Sequence, residues 1–357
     1  LMLSRLPLHA LHLAAGAVLD TRNGWELPAS YGDPAAEYAA VRQGVGLIDR
    51  GDLDALVVTG RDRAAFLHAM LTNDVKSLAP GQGARAALLD IHGKVQVILL
   101  LLVDAEEICA LAPPAMATPT LEALDKYLFS EKAYLKDASA EFAPLVVVGP
   151  EAPALVQRLA GTVPGEVRWS HEAASIGGTA VRLVRAGVDT GEPEIWLLGR
   201  AVDGPALWRA VLAAGARPVG RAAQAALRIE AGAVHYGLDV DGTVLLPEIP
   251  SADLVSYTKG CYIGQEVVIR IRDRGHVNRH LRGLLVDGTE VPLVGTEVLV
   301  GDVKIGKVTS AAWSYGRGRP VALAFVRRQH AEPGTVVTLR AGLSRWAATV
   351  SGLPFSR

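Results

Sequence analysis

The sequence predicts an α+β fold that consists of two similar units followed by a small all-β domain. Two segments, residues 56–60 (LVVTG) and 145–149 (LVVVG), each combine a short apolar run with a glycine and a following helical pattern. From residue 284 onward, short apolar runs alternate with glycine-containing turns, which is typical of a β-barrel or sandwich. A chain of 357 residues is long enough for two or three such packed units.

The pattern that follows the first glycine predicts a ferredoxin-like unit with the order β-α-β-β-α-β. The apolar runs at residues 85–90 and 95–103 predict two strands, and a last strand is predicted at 133–137. Thr118 and Pro119 indicate the start of the second helix, because threonine caps helices well and proline suits the first helical position.

The second glycine begins a similar order that contains one extra strand. Strands are predicted at residues 167–171, 180–184 and 194–198, and a helix at 206–214 is predicted to end at Gly215. The alternative is a chance likeness between two strand–glycine–helix segments. If the duplication is real, a cleft between the two halves is the natural ligand site.

Composition and charge limit the classes of function. The formal net charge of −1 gives no global reason to expect binding to nucleic acid or to anionic membranes. Two cysteines are too few for a disulfide framework, and no cysteine or histidine spacing indicates zinc or an iron–sulfur cluster; Cys109 is expected to be a core residue. The longest apolar run, 95–103, is too short for a membrane helix, and the N-terminal segment lacks the basic start of a signal peptide. We therefore expect a cytoplasmic protein without a metal site.

The segment 259–266 (KGCYIGQE) predicts a functional thiol at Cys261. It follows a strand-like run at 254–257 and precedes a predicted helix at 267–272, so the cysteine is expected near a helix N-terminus and close to Lys259. Both features stabilise a thiolate. The alternative is a buried structural cysteine in a tight turn between two glycines.

Five arginines follow the cysteine within a short distance and form a basic strip. They are Arg270, Arg272, Arg274, Arg279 and Arg282. The strip predicts contact with a phosphate-bearing or polyanionic partner, such as RNA or a polyglutamate tail. The alternatives are a solvated face and arginines that tie domains together.

Several motifs resemble those of known families. Residues 259–266 resemble the KGCYxGQE signature of the YgfZ family, which are folate-binding proteins linked to iron–sulfur cluster assembly or repair and to tRNA modification. Residues 44–49 (GVGLID), 71–75 (LTNDV) and 227–232 (LRIEAG) resemble segments of the wider superfamily, which includes the aminomethyltransferase of glycine cleavage, or T-protein. Residues 190–195 (TGEPEI) resemble another of its motifs in a shortened form.

The resemblance implies an architecture of the T-protein type, in which tetrahydrofolate lies in a central cavity between two α+β units and a C-terminal β-barrel. The two units would be residues 1–140 and 141–280, and the barrel would be residues 281–357. The duplicated pattern and the β-rich tail predict the same arrangement without the resemblance.

The resemblance also implies ligand contacts. Glu194 or Glu192 would accept hydrogen bonds from the pterin ring, because a carboxylate can accept two N–H bonds from its pyrimidine edge. Glu194 is preferred for its place on an apolar strand. Asn73 is a weaker candidate, since helix capping alone explains an asparagine there.

Arg228 is predicted to pair with a carboxylate. That carboxylate would belong either to the ligand or to the protein. Within the protein, Glu230 and Glu37 are the candidates for a bridging ion pair.

One departure from the T-protein bears on the activity. The T-protein carries an aspartate in the strand after the 90–94 turn, where this chain has Val97 with Ile98 beside it. Valine cannot accept or relay a proton. We therefore expect a tetrahydrofolate-binding accessory protein that supports iron–sulfur enzymes, with Cys261 as its thiol. The alternatives are an aminomethyltransferase or demethylase that uses another acid, and a non-enzymatic module that binds tRNA or protein.

Overall fold

The computed structural model describes residues 3–22, 24–187 and 189–355. Within these ranges the α-helices are α1 (His9–Ala14), α2 (Pro34–Gln43), α3 (Arg63–Met70), α4 (Ala117–Asp125), α5 (Ala152–Ala160), α6 (Gly204–Ala213), α7 (Arg221–Ala231) and α8 (Gln265–Arg274). The strands that precede α8 are β1 (Ser4–Arg5), β2 (Val18–Arg22), β3 (Trp25–Ser30), β4 (Gly46–Asp49), β5 (Asp54–Thr59), β6 (Gln82–Leu89), β7 (Val95–Val103), β8 (Glu107–Ala112), β9 (Tyr134–Asp137), β10 (Phe142–Val148), β11 (His171–Ile176), β12 (Thr179–Ala186), β13 (Glu194–Arg200) and β14 (Arg217–Pro218). The strands that follow α8 are β15 (Arg279–Val286), β16 (Glu297–Val300), β17 (Val303–Ser314), β18 (Arg319–Arg327), β19 (Val336–Ala341) and β20 (Ser344–Ser351).

The first unit is a five-stranded sheet in the order β6-β7-β8-β5-β9, with α3 and α4 on one face. Strand β7 shows why its sequence is almost entirely apolar, with Gln96 near its start as the exception. Leu99 and Leu101 pack in the core beneath the helices. Leu100 and Leu102 point the other way, into the central core of the molecule. Because side chains alternate along a strand, a strand covered on both faces needs apolar residues at every position.

The second unit repeats this topology. Its sheet has the order β11-β12-β13-β10-β4-β14, which is the order of the first sheet with β4 inserted. Helices α5 and α6 cover one face, as α3 and α4 do in the first unit. The predicted duplication into two ferredoxin-like units is therefore confirmed. The prediction that only the second unit has an extra strand is wrong, because β8 supplies the same strand in the first.

Three local predictions are also wrong. The strand predicted at 167–171 is a turn, since Trp169 has a φ of 68°, which interrupts extended backbone, and β11 starts at its end. The strand predicted at 254–257 is an irregular loop, in which Leu254 and Val255 are buried in the central core and Tyr257 is exposed. Helix α4 starts at Ala117 with Met116 as its N-cap, so Thr118 lies inside the helix instead of capping it.

The C-terminal domain is a closed barrel in the order β15-β18-β17-β16-β19-β20, so the prediction of a β domain there is confirmed as a barrel. Its interior is filled by small and branched side chains, among them Val298, Ala322 and Leu339. A second set of barrel residues, which includes Leu323 and Phe325, faces the central core that both α+β units share. The barrel is thus packed onto the α+β part by one continuous apolar interface.

Two elements connect parts that the predicted boundaries separate. Strand β4 lies within residues 1–140, yet it pairs with β10 and β14 in the second sheet. Helix α7 packs against α2, against β3 and against the barrel strand β17. Among the helices of the described ranges, none combines the length and apolar character needed to cross a membrane.

Candidate functional site

A cavity lies where the inner faces of the two units meet α7 and β3. Its apolar wall comes from Ile98 and Leu100 of β7, Leu111 of β8 and the rings of Trp169 and Trp196. Its polar lining includes six side chains from five segments, which are Arg50, Arg85, Asp189, Arg221, Arg228 and His235. A flat apolar slot with a few convergent polar groups is the usual form of a small-molecule site.

Asp189, His235 and Arg50 form a polar cluster in the cavity wall. The His235 Nε2 atom lies 3.3 Å from Asp189 Oδ1, and the Arg50 Nη1 atom lies 3.5 Å from Asp189 Oδ2. Burial alone would raise the pKa of Asp189, but His235, Arg50 and Arg85 outweigh it and hold that pKa well below its ordinary value. Burial lowers the pKa of His235, against the attraction of Asp189. The pair therefore combines a carboxylate with a histidine that is neutral at pH 7.

Glu194 lies at the start of β13, behind the cavity wall, and is 1% exposed. Its carboxylate accepts hydrogen bonds from the backbone N–H and the hydroxyl of Thr190, both at 2.9 Å, and from Trp196 Nε1 at 3.3 Å. Burial and the nearby Asp189 raise the pKa of Glu194 to about 7. Glu194 thus holds one of the two tryptophan rings of the cavity in place.

Glu192 lies in a neighbouring groove instead of in this cavity. Its carboxylate accepts a hydrogen bond from Arg42 Nη1 at 2.7 Å. The other side of the same guanidinium donates to Glu230 at 2.6 Å. Glu192 is therefore part of an ion-pair network that joins α2 to α7.

Arg228 lies on α7 and is buried between the cavity and the barrel. It donates from Nη1 to Asp239 at 2.6 Å and to the carbonyl of Ala233 at 2.8 Å, and from Nη2 to the hydroxyl of Ser310 at 2.7 Å. The prediction that Arg228 pairs with a carboxylate is confirmed within the protein. The suggested partners Glu230 and Glu37 are wrong, because the segment after α7 folds back and brings Asp239 to the guanidinium.

Asn73 follows α3 and ties two loops together. Its Nδ2 donates to the carbonyls of Arg85 at 2.8 Å and Asp253 at 3.0 Å, and its Oδ1 accepts from the N–H of Asp74. These bonds give Asn73 a structural explanation, and its role as a ligand contact stays a prediction.

Cys261 is an exposed free cysteine three residues before the N-cap of α8, so the alternative of a buried structural cysteine is wrong. The N-cap is Gly264, whose φ of 78° gives the tight turn that the sequence predicts. Cys261 does not line the cavity described above. The other cysteine, Cys109, is fully buried in β8, as predicted.

Lys259 lies at the C-terminal end of α3. Its ammonium donates to the carbonyls of His68 and Leu71, where the helix leaves acceptors without partners, and it lies 5.0 Å from the centre of the Tyr262 ring. Burial lowers the pKa of Lys259 to about 8, although the nearby Asp74 and Cys261 favour its charge. Lys259 therefore caps a helix as well as supplying positive charge near the thiol.

The basic strip divides into two groups. Arg279 binds Glu248 through two nitrogens, at 3.0 and 2.9 Å, and Arg282 donates to the carbonyl of Ala331 within the barrel. These two arginines fit the alternative that they tie parts of the structure together. Arg270, Arg272 and Arg274 are exposed on α8; Arg272 also pairs with the neighbouring aspartate, Asp273.

Sequence reasoning missed the polar residues closest to the centre of the cavity. Asp189 stands directly before the 190–195 motif, and His235 follows the 227–232 motif. Their only sequence signal is a titratable residue placed next to a recognisable segment. Their proximity depends on the second sheet and α7 meeting, which no local pattern indicates.

The comparisons with known proteins agree with this architecture. The GCVT N-terminal domain family matches residues 8–259, and the glycine cleavage T-protein C-terminal barrel domain matches residues 279–356. The chain is 30% identical to an aminomethyltransferase from Streptomyces avermitilis, over 100% of this chain and 99% of that protein. It is 33% identical to an aminomethyltransferase from Frankia alni, over 94% of this chain and 93% of that protein.

A solved structure of the glycine cleavage aminomethyltransferase T from Bartonella henselae superposes with a TM-score of 0.89 at 24% identity. It covers 99% of this chain and 98% of that one, which shows the shared fold. The chain belongs to the glycine cleavage T-protein family. Aminomethyltransferases of this family use tetrahydrofolate, which agrees with the cofactor that the sequence predicts. These matches identify the wider T-protein family, and they do not distinguish the YgfZ family within it.

Proposed function

We propose that this protein binds tetrahydrofolate in the cavity and transfers a one-carbon unit to it, as an aminomethyltransferase does. The observation that carries the proposal is the cavity itself, which combines the Trp169 and Trp196 rings with the Asp189–His235–Arg50 cluster. The names of the relatives support a transferase over an accessory role. Val97 packs in the core beneath α3 and α4, and Ile98 is its neighbour that lines the cavity. Because β7 presents no carboxylate to the cavity, another group must handle the proton.

The residues of the cavity fit a reduced pterin. A pterin presents a flat heterocycle and an edge of N–H donors, which match tryptophan faces and carboxylate acceptors. Glu194 accepts a hydrogen bond from Trp196, and Asp189 lines the same cavity as that ring. Glu194 lies behind the wall, and its three protein donors are the backbone N–H and hydroxyl of Thr190 and the Trp196 Nε1. Glu194 remains our proposed pterin residue through the Trp196 ring that it holds, and Arg228 is a lining residue that is held by Asp239.

Anaerobic calorimetry with tetrahydrofolate tests the binding half of the proposal. We expect saturable binding of one tetrahydrofolate per chain. Trp196→Leu should weaken this binding, whereas Trp346→Leu in the barrel should leave it unchanged. The two tryptophans are matched, because each donates its Nε1 hydrogen to a carboxylate, Glu194 in one case and Glu290 in the other. Wild-type protein that gives no heat of binding would remove the proposal.

Incubation with tetrahydrofolate and an aminomethyl-loaded lipoyl carrier tests the transfer half. Methylenetetrahydrofolate and ammonia should appear together and in equal amounts. Binding without either product would leave a folate-binding protein that is not a transferase of this kind.

The second candidate function is a folate-binding accessory protein for iron–sulfur enzymes. The observation that favours it is the exposed Cys261 with the Lys259 ammonium nearby. In cells that lack the protein, Cys261→Ala should then fail to restore iron–sulfur enzyme activity. Cys109→Ala is the matched control, since that cysteine is buried in β8. Full restoration by Cys261→Ala would remove this candidate.

A further inference from the structure

The cavity contains a titratable pair that the family motifs do not include. His235 and Asp189 are 3.3 Å apart, and both line the cavity, to which β7 presents Ile98 and no carboxylate. Their side chains are 21% and 17% exposed, so the pair is sheltered and still reachable from the cavity. A histidine oriented by a carboxylate is a common arrangement for proton transfer.

We propose that His235 is the residue that exchanges a proton with the ligand in this cavity, and that Asp189 is the residue that positions it. Asp189 contacts Nε2 of the ring, so the exchange uses Nδ1. Arg50 holds the other oxygen of Asp189 at 3.5 Å, which fixes the carboxylate against the imidazole. The inference rests on the proposed function, because it assigns a group to the transfer reaction described there.

The charges around the pair favour a neutral imidazole. Burial lowers the pKa of His235, and Arg228 and Arg50 act in the same direction, whereas Asp189 acts against them. The backbone N–H of His235 also donates to Asp239 at 3.2 Å, which orders the segment after α7. On the other partner, Arg85 stabilises the charge of Asp189, and Asp189 in turn helps to raise the pKa of Glu194. A neutral histidine can accept a proton at pH 7.

The reaction needs such a group. Two C–N bonds form from the lone pairs of two tetrahydrofolate nitrogens, while the transferred carbon loses its bonds to the amino nitrogen and to the carrier sulfur. The bonding electrons leave with that nitrogen and that sulfur. Two N–H protons of tetrahydrofolate end on the released ammonia and thiol. His235 accepts one of these protons and returns it to the leaving nitrogen, so it ends the cycle unchanged.

The first test is a pH titration of His235 in the whole protein, monitored by NMR with labelled histidine rings. His235→Gln identifies the signal among the nine histidines of the chain. Asp189→Asn should lower the pKa of His235, because it removes the carboxylate that favours the imidazolium. Addition of tetrahydrofolate should shift the same titration. A titration that tetrahydrofolate leaves unchanged overturns the inference.

The second test is the pH profile of the transfer rate. The wild-type rate should fall as pH drops through the pKa of His235, because the protonated ring cannot accept a proton. Asp189→Asn should move this limb to lower pH, and His235→Gln should slow transfer about 100-fold or more, with a far smaller effect on tetrahydrofolate affinity. A purely structural pair would lower the rate in both variants and leave the position of the limb unchanged, which overturns the inference.

The control is His9→Gln. His9 lies 3.6 Å from Glu26 and is 18% exposed, so it matches His235 in partner and burial but lies outside the cavity lining. It should change neither the rate nor the profile. Wild-type protein that makes no product overturns the proposed function, and this inference with it. Product formation with an unaltered limb in Asp189→Asn overturns the inference alone.

Discussion

Replacing Arg228 with methionine tests how the barrel is fastened to the wall of the cavity. Arg228 is 5% exposed in its side chain and Asp239 is fully buried, so the variant leaves a buried carboxylate without its cation. Breaking a buried pair in this way costs about 3–5 kcal/mol. Asp239 keeps its hydrogen bonds from Ser310, Thr309 and the backbone of His235, which places the expected loss at about 3 kcal/mol.

Urea unfolding at pH 7.5 measures this loss in the free energy of unfolding. The matched control is Arg340→Met, which removes two hydrogen bonds from Arg340 to the Oε2 atom of Glu297; the two side chains are 33% and 32% exposed. That solvent-exposed pair should contribute far less than the buried one, because water screens its charges. The double variant Arg228→Met with Asp239→Leu should recover much of the loss, because it removes the stranded charge as well.

The pH dependence separates this explanation from a simple packing defect. Burial alone would raise the pKa of Asp239, but Arg228 and the hydroxyl donors hold it below its ordinary value. The stability from the pair is therefore present above that ordinary value and is lost as pH falls through the lowered one. The difference between wild type and Arg228→Met should shrink in acid. An equal difference at all pH values, or a loss no larger than that of Arg340→Met, would refute the reasoning.

Three further outcomes are expected. Cys261→Ala should leave the free energy of unfolding and tetrahydrofolate binding nearly unchanged, because the thiol is exposed and outside the cavity; a large loss of either would assign it a structural role. Glu194 has a pKa raised to about 7 from an ordinary 4.5, so it binds a proton more readily in the folded protein than in the unfolded chain. The free energy of unfolding of wild type relative to Glu194→Gln should therefore fall as pH rises between those values. A difference that does not change with pH would contradict this. Gly306→Ala should destabilise the barrel in thermal unfolding, since a Cβ there would meet the carbonyl oxygen of Phe325. The control is Gly342→Ala: a Cβ at Gly342 would have open space, so this variant should lose only the stability that its φ of 59° costs an alanine.

Local sequence patterns predicted the elements of this fold well where apolar runs were long. The run at 95–103 and the glycines after β5 and β10 each mark an element that the structure contains. The failures have physical causes. Strand β8 is short and mixes cysteine and alanine with larger residues, and the loop at 254–257 has apolar residues because Leu254 and Val255 are buried in the core.

The candidate site was predicted less completely than the fold. Cys261 could be singled out because the nearby glycine and lysine are residues that rarely surround a buried cysteine. Glu194 and Arg228 were singled out through motifs, yet their partners, Trp196 and Asp239, follow from tertiary packing. Asp189 and His235 are 46 positions apart in the chain (235 − 189 = 46), and the meeting of the second sheet with α7 brings them together.

The position of β4 has a consequence for how the chain is synthesised and folds. The strand leaves the ribosome near residue 46, but its two neighbours in the sheet are β10 and β14, which lie about 100 and 170 residues later. The first unit can complete its own sheet while β4 still has no hydrogen-bonding partner. Strand β4 therefore stays unpaired until β10 and β14 have been synthesised. A protein divided at the boundary between residues 140 and 141 would separate β4 from its sheet. One half would then carry β4 without its partners, and the other would expose the edges of β10 and β14.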